Sequence, residues 1–73
     1  MERIQDAKIL LVDDNAELLE LLLKILAGEG YNRLFPAKNC REARELFENE
    51  QPDFMILDVN LPDGDGFHLF MEF

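Results

Sequence analysis

Two short apolar runs in this sequence each end in acidic residues, and this pairing limits the possible folds and functions more than any other feature. The first run covers residues 9–12 and is followed by Asp13 and Asp14, and the second covers residues 54–57 and is followed by Asp58. Short apolar runs are typical of strands that are buried on both faces of a parallel sheet. Because ligands bind at the carboxyl edge of such sheets, we expect the three carboxylates to converge there.

Three carboxylates that meet at one edge have two chemical uses. Their oxygens are hard ligands for a divalent cation, and one ionised carboxylate can attack phosphorus as a nucleophile. The alternative is structural, since Asp58 could begin an ordinary turn and Asp13 or Asp14 could cap the following helix. The presence of acids after two different strands favours the chemical interpretation.

Strands and helices alternate along the chain. The predicted elements are strands at residues 8–12, 31–37 and 54–57, helices at residues 16–28 and 40–50, a turn-rich loop at residues 59–66 and the start of a third helix after it. Asn15 and Asn39 are suited to cap the first two helices. Alternation of this kind predicts an α/β fold with right-handed crossovers and a parallel sheet. Since the two strands whose acidic ends meet must be neighbours, the predicted sheet order is 2-1-3.

The spacing of apolar residues predicts which helix faces point inward. In the first helix the inward face is predicted to contain Leu18, Leu22, Ile25 and Leu26. Three further leucines widen its apolar arc to about 200°, which is more than one neighbour can cover. In the third helix the predicted core residues are Phe67, Phe70 and Met71. The single histidine, His68, is predicted to face solvent.

Composition argues against several functional classes. The chain has 16 acidic and 7 basic residues in a total of 73, so this segment lacks the basic character that non-specific nucleic-acid binding needs. Cys40 is the only cysteine, which excludes an internal disulfide and fits a reducing cytoplasm. The polar start does not match a signal peptide, and no apolar run approaches the length of a membrane span. We therefore expect a cytoplasmic domain without direct contact to nucleic acid or membrane.

Four motifs in order resemble the receiver domain of two-component response regulators. They are Leu-Val-Asp-Asp-Asn at residues 11–15, Ala-Lys-Asn-Cys-Arg-Glu-Ala at residues 37–43, Pro-Asp-Phe-Met-Ile-Leu-Asp at residues 52–58, and the Leu-Pro and Asp-Gly-Phe groups at residues 61–62 and 65–67. The resemblance implies a flavodoxin-like fold. Residues 1–73 would form the N-terminal part of a receiver domain, with the order βαβαβ and the start of a third helix.

The resemblance also implies roles for individual residues. Asp58 would accept a phosphoryl group from a histidine kinase or phosphotransfer protein, so the chain would be a phosphoacceptor in signalling and not an enzyme. Asp14 would bind Mg²⁺ directly, Asp13 through water, and Asn60 through its main-chain carbonyl, with Asp58 completing the metal site. In the family a hydroxyl residue and a lysine on later strands belong to the same site.

In an alternative interpretation the fold is the same, but the chain does not take part in phosphoryl transfer. The chain would then act only as a self-associating structural module. The predicted third strand, residues 54–57, is apolar and contains no lysine or proline of the kind that discourages pairing between chains. If this strand lies at the edge of the sheet, we expect a homo-oligomer that forms through it.

Overall fold

Three parallel strands form the central sheet of this chain, and helices cover both of its faces. The computed structural model describes residues 3–58 and 60–72. Its elements are β1 (Lys8–Val12), α1 (Ala16–Gly28), β2 (Arg33–Ala37), α2 (Cys40–Glu50), β3 (Phe54–Leu57), β4 (Asn60–Leu61), β5 (Gly64–Asp65) and α3 (Gly66–Glu72), with one 3-10 turn at Ile4–Asp6 before β1. None of the described helices combines the length and the apolarity that a transmembrane span needs.

The central position of β1 follows from its sequence and confirms the predicted sheet order. The strand pairs in parallel with β2 on one side and with β3 on the other, which gives the order β2-β1-β3. Leu10, Leu11 and Val12 are almost fully buried, as expected for a strand that is apolar on both faces. Pro36 cannot donate a main-chain hydrogen bond to a neighbour, and it lies in β2 at the edge of this sheet.

Each face of the sheet has its own apolar core. On one face, Ile9 and Leu11 pack with Leu19 of α1. On the other face, Leu10 and Val12 pack with residues of β2, α2, β4 and α3: Ala37, Cys40, Ala43, Leu61 and Leu69. Alternate residues of β1 therefore serve two layers of helices.

The inward face of α1 differs from the predicted one. Leu22 and Leu26 pack against the core as expected, but Leu18 and Ile25 are exposed, and the residue buried most deeply is Leu19. The sequence could not select the face because apolar residues cover more than half of the helix circumference. The sheet selects it by accepting Leu19 beside Leu11.

The ends of α1 are fixed by local hydrogen bonds. The Asn15 side chain accepts from the Leu18 N–H at 3.1 Å, which confirms the predicted cap. At the other end, the N–H of Gly30 donates to the carbonyl of Ala27 and the N–H of Tyr31 donates to that of Leu26. Gly30 has a φ of 95°, so this pair of bonds forms a Schellman motif around a residue that needs the left-handed region.

The start of α2 confirms the predicted cap in modified form. The Asn39 side chain accepts from the Glu42 N–H at 2.8 Å. The Glu42 carboxylate accepts from the N–H of Lys38, one residue before the position expected in a capping box. At the C-terminal end, Gln51 takes a left-handed conformation and its N–H donates to the Phe47 carbonyl at 3.0 Å.

The segment after β3 departs from the sequence-based prediction in two ways. First, the predicted loop contains a short antiparallel hairpin, in which Asn60 pairs with Asp65 and Leu61 pairs with Gly64 around a Pro62-Asp63 turn. Second, the predicted inward face of α3 is wrong for two residues. Phe70 is 55% exposed and Met71 is 69% exposed, whereas Leu69 is buried. The side chain of Phe67 lies outside the described part of the structure, and His68 is exposed, as predicted.

Candidate metal centre

Three carboxylates converge at the carboxyl end of the sheet. One oxygen from each of Asp13, Asp14 and Asp58 can be chosen so that all three lie within 4.8 Å of one another. Asp13 and Asp58 are half-buried and Asp14 is exposed. The parallel order of β1 and β3 produces this convergence, because both strands end at the same edge.

Main-chain hydrogen bonds hold the two strand ends in place. The Asp58 N–H donates to the Val12 carbonyl at 2.8 Å, so Asp58 stays paired with β1 one residue after β3 has ended. The Asp13 N–H donates to the Ala37 carbonyl at 3.0 Å. Asp13 and Asp58 are thus attached through their backbones to the best-buried part of the sheet.

The first helix does not use either acid of the Asp13-Asp14 pair as its cap. Asn15 fills that position, and the Asn15 N–H donates to Oδ1 of Asp13 at 2.9 Å. This bond orients the Asp13 carboxylate within the turn. The structural alternative for the acidic pair, that one of them caps α1, is therefore wrong.

Asn60 begins β4, two residues after Asp58. Its pairing with Asp65 shows that its backbone belongs to the β4–β5 hairpin. The assignment of its main-chain carbonyl as a metal ligand remains a prediction.

Asp63 is a residue of this region that the sequence did not indicate. Its Oδ1 accepts from the Cys40 N–H at 2.6 Å, and its Oδ2 accepts from the Arg41 N–H at 3.1 Å. The bond from Cys40 is the largest cause that lowers the pKa of the Asp63 carboxyl below its ordinary value, and the bond from Arg41 adds to it. The first turn of α2 is thereby connected to the hairpin. The partners are 23 residues apart along the chain, and no local sequence pattern signals such a bond.

The donor set fits a small hard cation. Mg²⁺ prefers oxygen ligands, takes one or two carboxylates from a protein and keeps several waters. Three carboxylates, one of them exposed to solvent, match this preference. Cys40 is buried, and the described residues offer no cluster of nitrogen or sulfur ligands at this edge that would favour a softer metal.

Comparisons with known proteins agree with this fold. The family model for the response regulator receiver domain matches residues 9–73. The chain is 35% identical over 66 residues to the sporulation initiation phosphotransferase F of Bacillus subtilis, covering 90% of this chain and 52% of that protein. It is 38% identical over 65 residues to the regulatory protein VanRc of Enterococcus gallinarum, covering 89% of this chain and 28% of that protein.

Solved structures show the same likeness. The signal receiver domain of a putative Luxo repressor protein from Vibrio parahaemolyticus aligns with a TM-score of 0.84 and 30% identity, covering 92% of this chain and 51% of that one. The N-terminal domain of an uncharacterized protein from Wolinella succinogenes aligns with a TM-score of 0.85 and 27% identity. The alignment covers 92% of this chain and 54% of that one.

The parallel sheet with an acidic carboxyl edge defines an α/β domain of the flavodoxin-like class. Within that class, the chain belongs to the response regulator receiver domain family, whose members act in two-component signalling. The chain spans about half the length of the first curated relatives that it matches, 52% in each of two cases.

Proposed function

We propose that this chain is the N-terminal part of a receiver domain and that Asp58 is its phosphoacceptor. The donor would be a phosphohistidine on a histidine kinase or phosphotransfer protein. The observation that carries the proposal is the convergence of Asp13, Asp14 and Asp58 within 4.8 Å at the carboxyl edge of the sheet. The name of one relative, a sporulation phosphotransferase, is consistent with phosphoryl chemistry in this family.

The proposed transfer is a single displacement at phosphorus. A carboxylate oxygen of Asp58 forms the new P–O bond while the P–N bond to the donor histidine breaks, and the bonding pair returns to the imidazole nitrogen, which takes up a proton. The phosphoryl group then stays on Asp58. The chain is therefore the acceptor of a group made available by another protein, and we do not assign it a catalytic turnover of its own.

The other acids have a supporting role in this proposal. Asp13, Asp14, Asp58 and the Asn60 main-chain carbonyl would hold Mg²⁺, which when bound neutralises negative charge on the phosphoryl oxygens. The Asn15 N–H orients the Asp13 carboxylate, and the main-chain bond of Asp58 to Val12 fixes the Asp58 backbone, so part of the site is ordered before any ligand arrives. This preorganisation lowers the cost of ordering the site. A cytoplasmic location, which the single buried cysteine suits, is part of the same proposal.

Incubation with a small phosphoryl donor tests the proposal. The chain is mixed with acetyl phosphate and Mg²⁺, and the whole-protein mass is measured. We expect one added phosphoryl mass in the natural sequence and in Asp53→Asn, and none in Asp58→Asn or without Mg²⁺. Beryllofluoride, observed by fluorine NMR, provides a second probe with the same controls. Phosphoryl addition that persists in Asp58→Asn would contradict the assignment.

A second proposal concerns the edge of the sheet. Among the described strands β3 pairs only with β1, and its residues Phe54 and Ile56 are 54% and 44% exposed. An open cleft of about 440 Å³ lies beside the strand and is bordered by Phe54, Met55 and Phe70. We propose that two copies of this 73-residue chain pair through their β3 edges, because an apolar strand with unpaired backbone groups is a template for another strand.

Sedimentation across a concentration series tests this self-association. We expect a dimer whose dissociation constant rises in Ile56→Lys. The matched control is Leu21→Lys, which places the same charge on an exposed apolar residue of α1. Circular dichroism shows whether each variant is folded. A folded natural chain at monomer mass at every concentration, or equal effects of the two substitutions, would overturn the proposal.

A further inference from the structure

We propose that Asp63 is a positioning residue for the candidate metal centre, since it fastens the β4–β5 hairpin to the start of α2 and so fixes the backbone at Asn60. The inference rests on the proposed function, because Asn60 matters only if its carbonyl serves the metal. Asp63 itself would touch neither the metal nor the phosphoryl group.

The bond pattern at Asp63 is a two-point attachment. Its two carboxylate oxygens accept from two successive N–H groups, those of Cys40 and Arg41, at 2.6 and 3.1 Å. These N–H groups belong to the first turn of α2, where a helix leaves its donors without internal partners and favours negative charge. Asn39 already accepts from the next donor, that of Glu42. Three donors of this helix end are therefore satisfied, and two of them depend on Asp63.

The hairpin also packs closely on the same helix end. Leu61 is 8% exposed and lies in the same apolar cluster as Cys40 and Ala43. A Cβ atom added to Gly64 would lie 2.9 Å from Sγ of Cys40, so a side chain there would force the hairpin or the helix to shift. With Leu61 and Gly64 packed and Asp63 bonded, three of the residues 61–64 are attached to α2.

The same short segment of chain braces both sides of the acidic edge. The Ala37 carbonyl accepts from the Asp13 N–H at 3.0 Å, and the N–H groups of Cys40 and Arg41 hold Asp63. Residues 37–41 thus connect the loop after β1 to the hairpin after β3. Loss of the Asp63 bonds would release the hairpin side and leave the Asp13 side in place.

A series of substitutions at Asp63 tests this role by NMR on the labelled chain. The first readout is amide hydrogen exchange in the absence of metal. We expect faster exchange at Cys40 and Arg41 in Asp63→Ala, with a smaller increase in Asp63→Asn, which keeps one acceptor oxygen. The matched control is Asp53→Asn. Its natural carboxylate accepts from the Lys8 N–H at 2.9 Å at the opposite end of the sheet, so exchange should increase at Lys8 alone.

The second readout is Mg²⁺ affinity, followed through the amide shifts of residues 13, 14, 60 and 61 at a temperature where every variant is folded. We expect Asp63→Ala to weaken Mg²⁺ binding about tenfold, the lower limit for loss of a residue that orients a metal ligand. Asp53→Asn should leave the affinity unchanged. Asp63→Asn should lie between the natural chain and Asp63→Ala, although the Asn and Ala variants remove the same charge.

The outcomes separate the possible explanations. Equal weakening in Asp63→Asn and Asp63→Ala would mean that Asp63 acts through its charge alone and would overturn the positioning role. Unchanged exchange at Cys40 and Arg41 in Asp63→Ala would also overturn it. If the natural chain binds no Mg²⁺, the proposed function fails, and with it the role at the metal. The exchange data then still decide whether Asp63 holds the hairpin.

Discussion

The two ends of the central sheet use the same residue type in opposite ways. At the amino end, Asp53 accepts from the Lys8 N–H at 2.9 Å, while the Asp53 N–H donates to the Lys8 carbonyl at 2.8 Å. The Lys8 ammonium group lies 3.7 Å from the Glu50 carboxylate. At the carboxyl end, Asp13, Asp14 and Asp58 lie within 4.8 Å of one another. The acids at the amino end lie beside donors, whereas the three acids at the carboxyl end lie close to one another, although Asp13 also accepts from the Asn15 N–H.

This difference separates acids that stabilise the fold from acids that serve a ligand. A carboxylate that accepts a main-chain N–H offsets its own loss of hydration, and the ion pair adds a small further gain. Three carboxylates in one place repel one another and lower the stability of the metal-free fold. A bound cation, as in the proposed function, would relieve this repulsion. We therefore interpret the amino end as structural and the carboxyl end as functional.

The largest effect expected from this difference is stabilisation by Mg²⁺. At a concentration of one hundred times its dissociation constant, the ion should add about 2.7 kcal/mol to the free energy of unfolding. Asp14→Ala should abolish the effect, and Asp53→Asn should retain it. Urea unfolding with and without Mg²⁺ measures both variants against the natural chain. Equal Mg²⁺ dependence in the two variants would remove the distinction between the ends.

Next in size are the effects of single neutral substitutions on the metal-free chain. Asp53→Asn should cost about 1 kcal/mol, because it weakens the bond to the Lys8 N–H. Asp14→Asn should instead stabilise the fold by roughly 0.5 kcal/mol, since it removes one of three like charges. The two changes have opposite signs although each removes one carboxylate. Unfolding in urea at neutral pH, with a chelator present, measures the difference.

Much of the fold could be predicted from local signals in the sequence. Strands were found from apolar runs, and their order followed from the acids that end β1 and β3, because these signals are local. Asn15 and Asn39 identified the helix starts for the same reason. The buried faces of α1 and α3 could not be predicted in this way. Leu18 and Leu19 of α1 are equally apolar, as are Leu69 and Phe70 of α3, and only packing against the sheet distinguishes them.

The hairpin and Asp63 could not be predicted for a different reason. The attachment of Asp63 depends on the main-chain N–H groups of Cys40 and Arg41. These groups are available as donors because they lie in the first turn of a helix, where the N–H groups have no partner within the helix. A bond between residues 23 apart leaves no periodic pattern. The three acids of the site were visible because strand ends carry them, whereas the residue that braces the site was not.

The smallest expected effect is a dependence on pH that comes from Asp63. Because main-chain donors lower the pKa of its carboxyl in the folded chain, its contribution to stability is fully present above the ordinary value of 3.8. That contribution is lost as the pH falls below this ordinary pKa and then through the lower pKa that the carboxyl has in the folded chain. The difference in melting temperature between the natural chain and Asp63→Asn should therefore shrink as the pH falls below about 4. If the difference in melting temperature grows on acidification, the Asp63 carboxylate does not stabilise the folded chain in the way described.

The location of the phosphoryl group tests the central claim most directly. Borohydride reduces an aspartyl phosphate to homoserine, so a chain treated with acetyl phosphate and Mg²⁺ and then with borohydride carries a permanent mark at the acceptor. Tandem mass spectrometry of its peptides should place the mark at Asp58, with Asp13, Asp14 and Asp53 unchanged. A mark at any of those other residues, with Asp58 unchanged, would contradict the assignment of Asp58 as the phosphoacceptor.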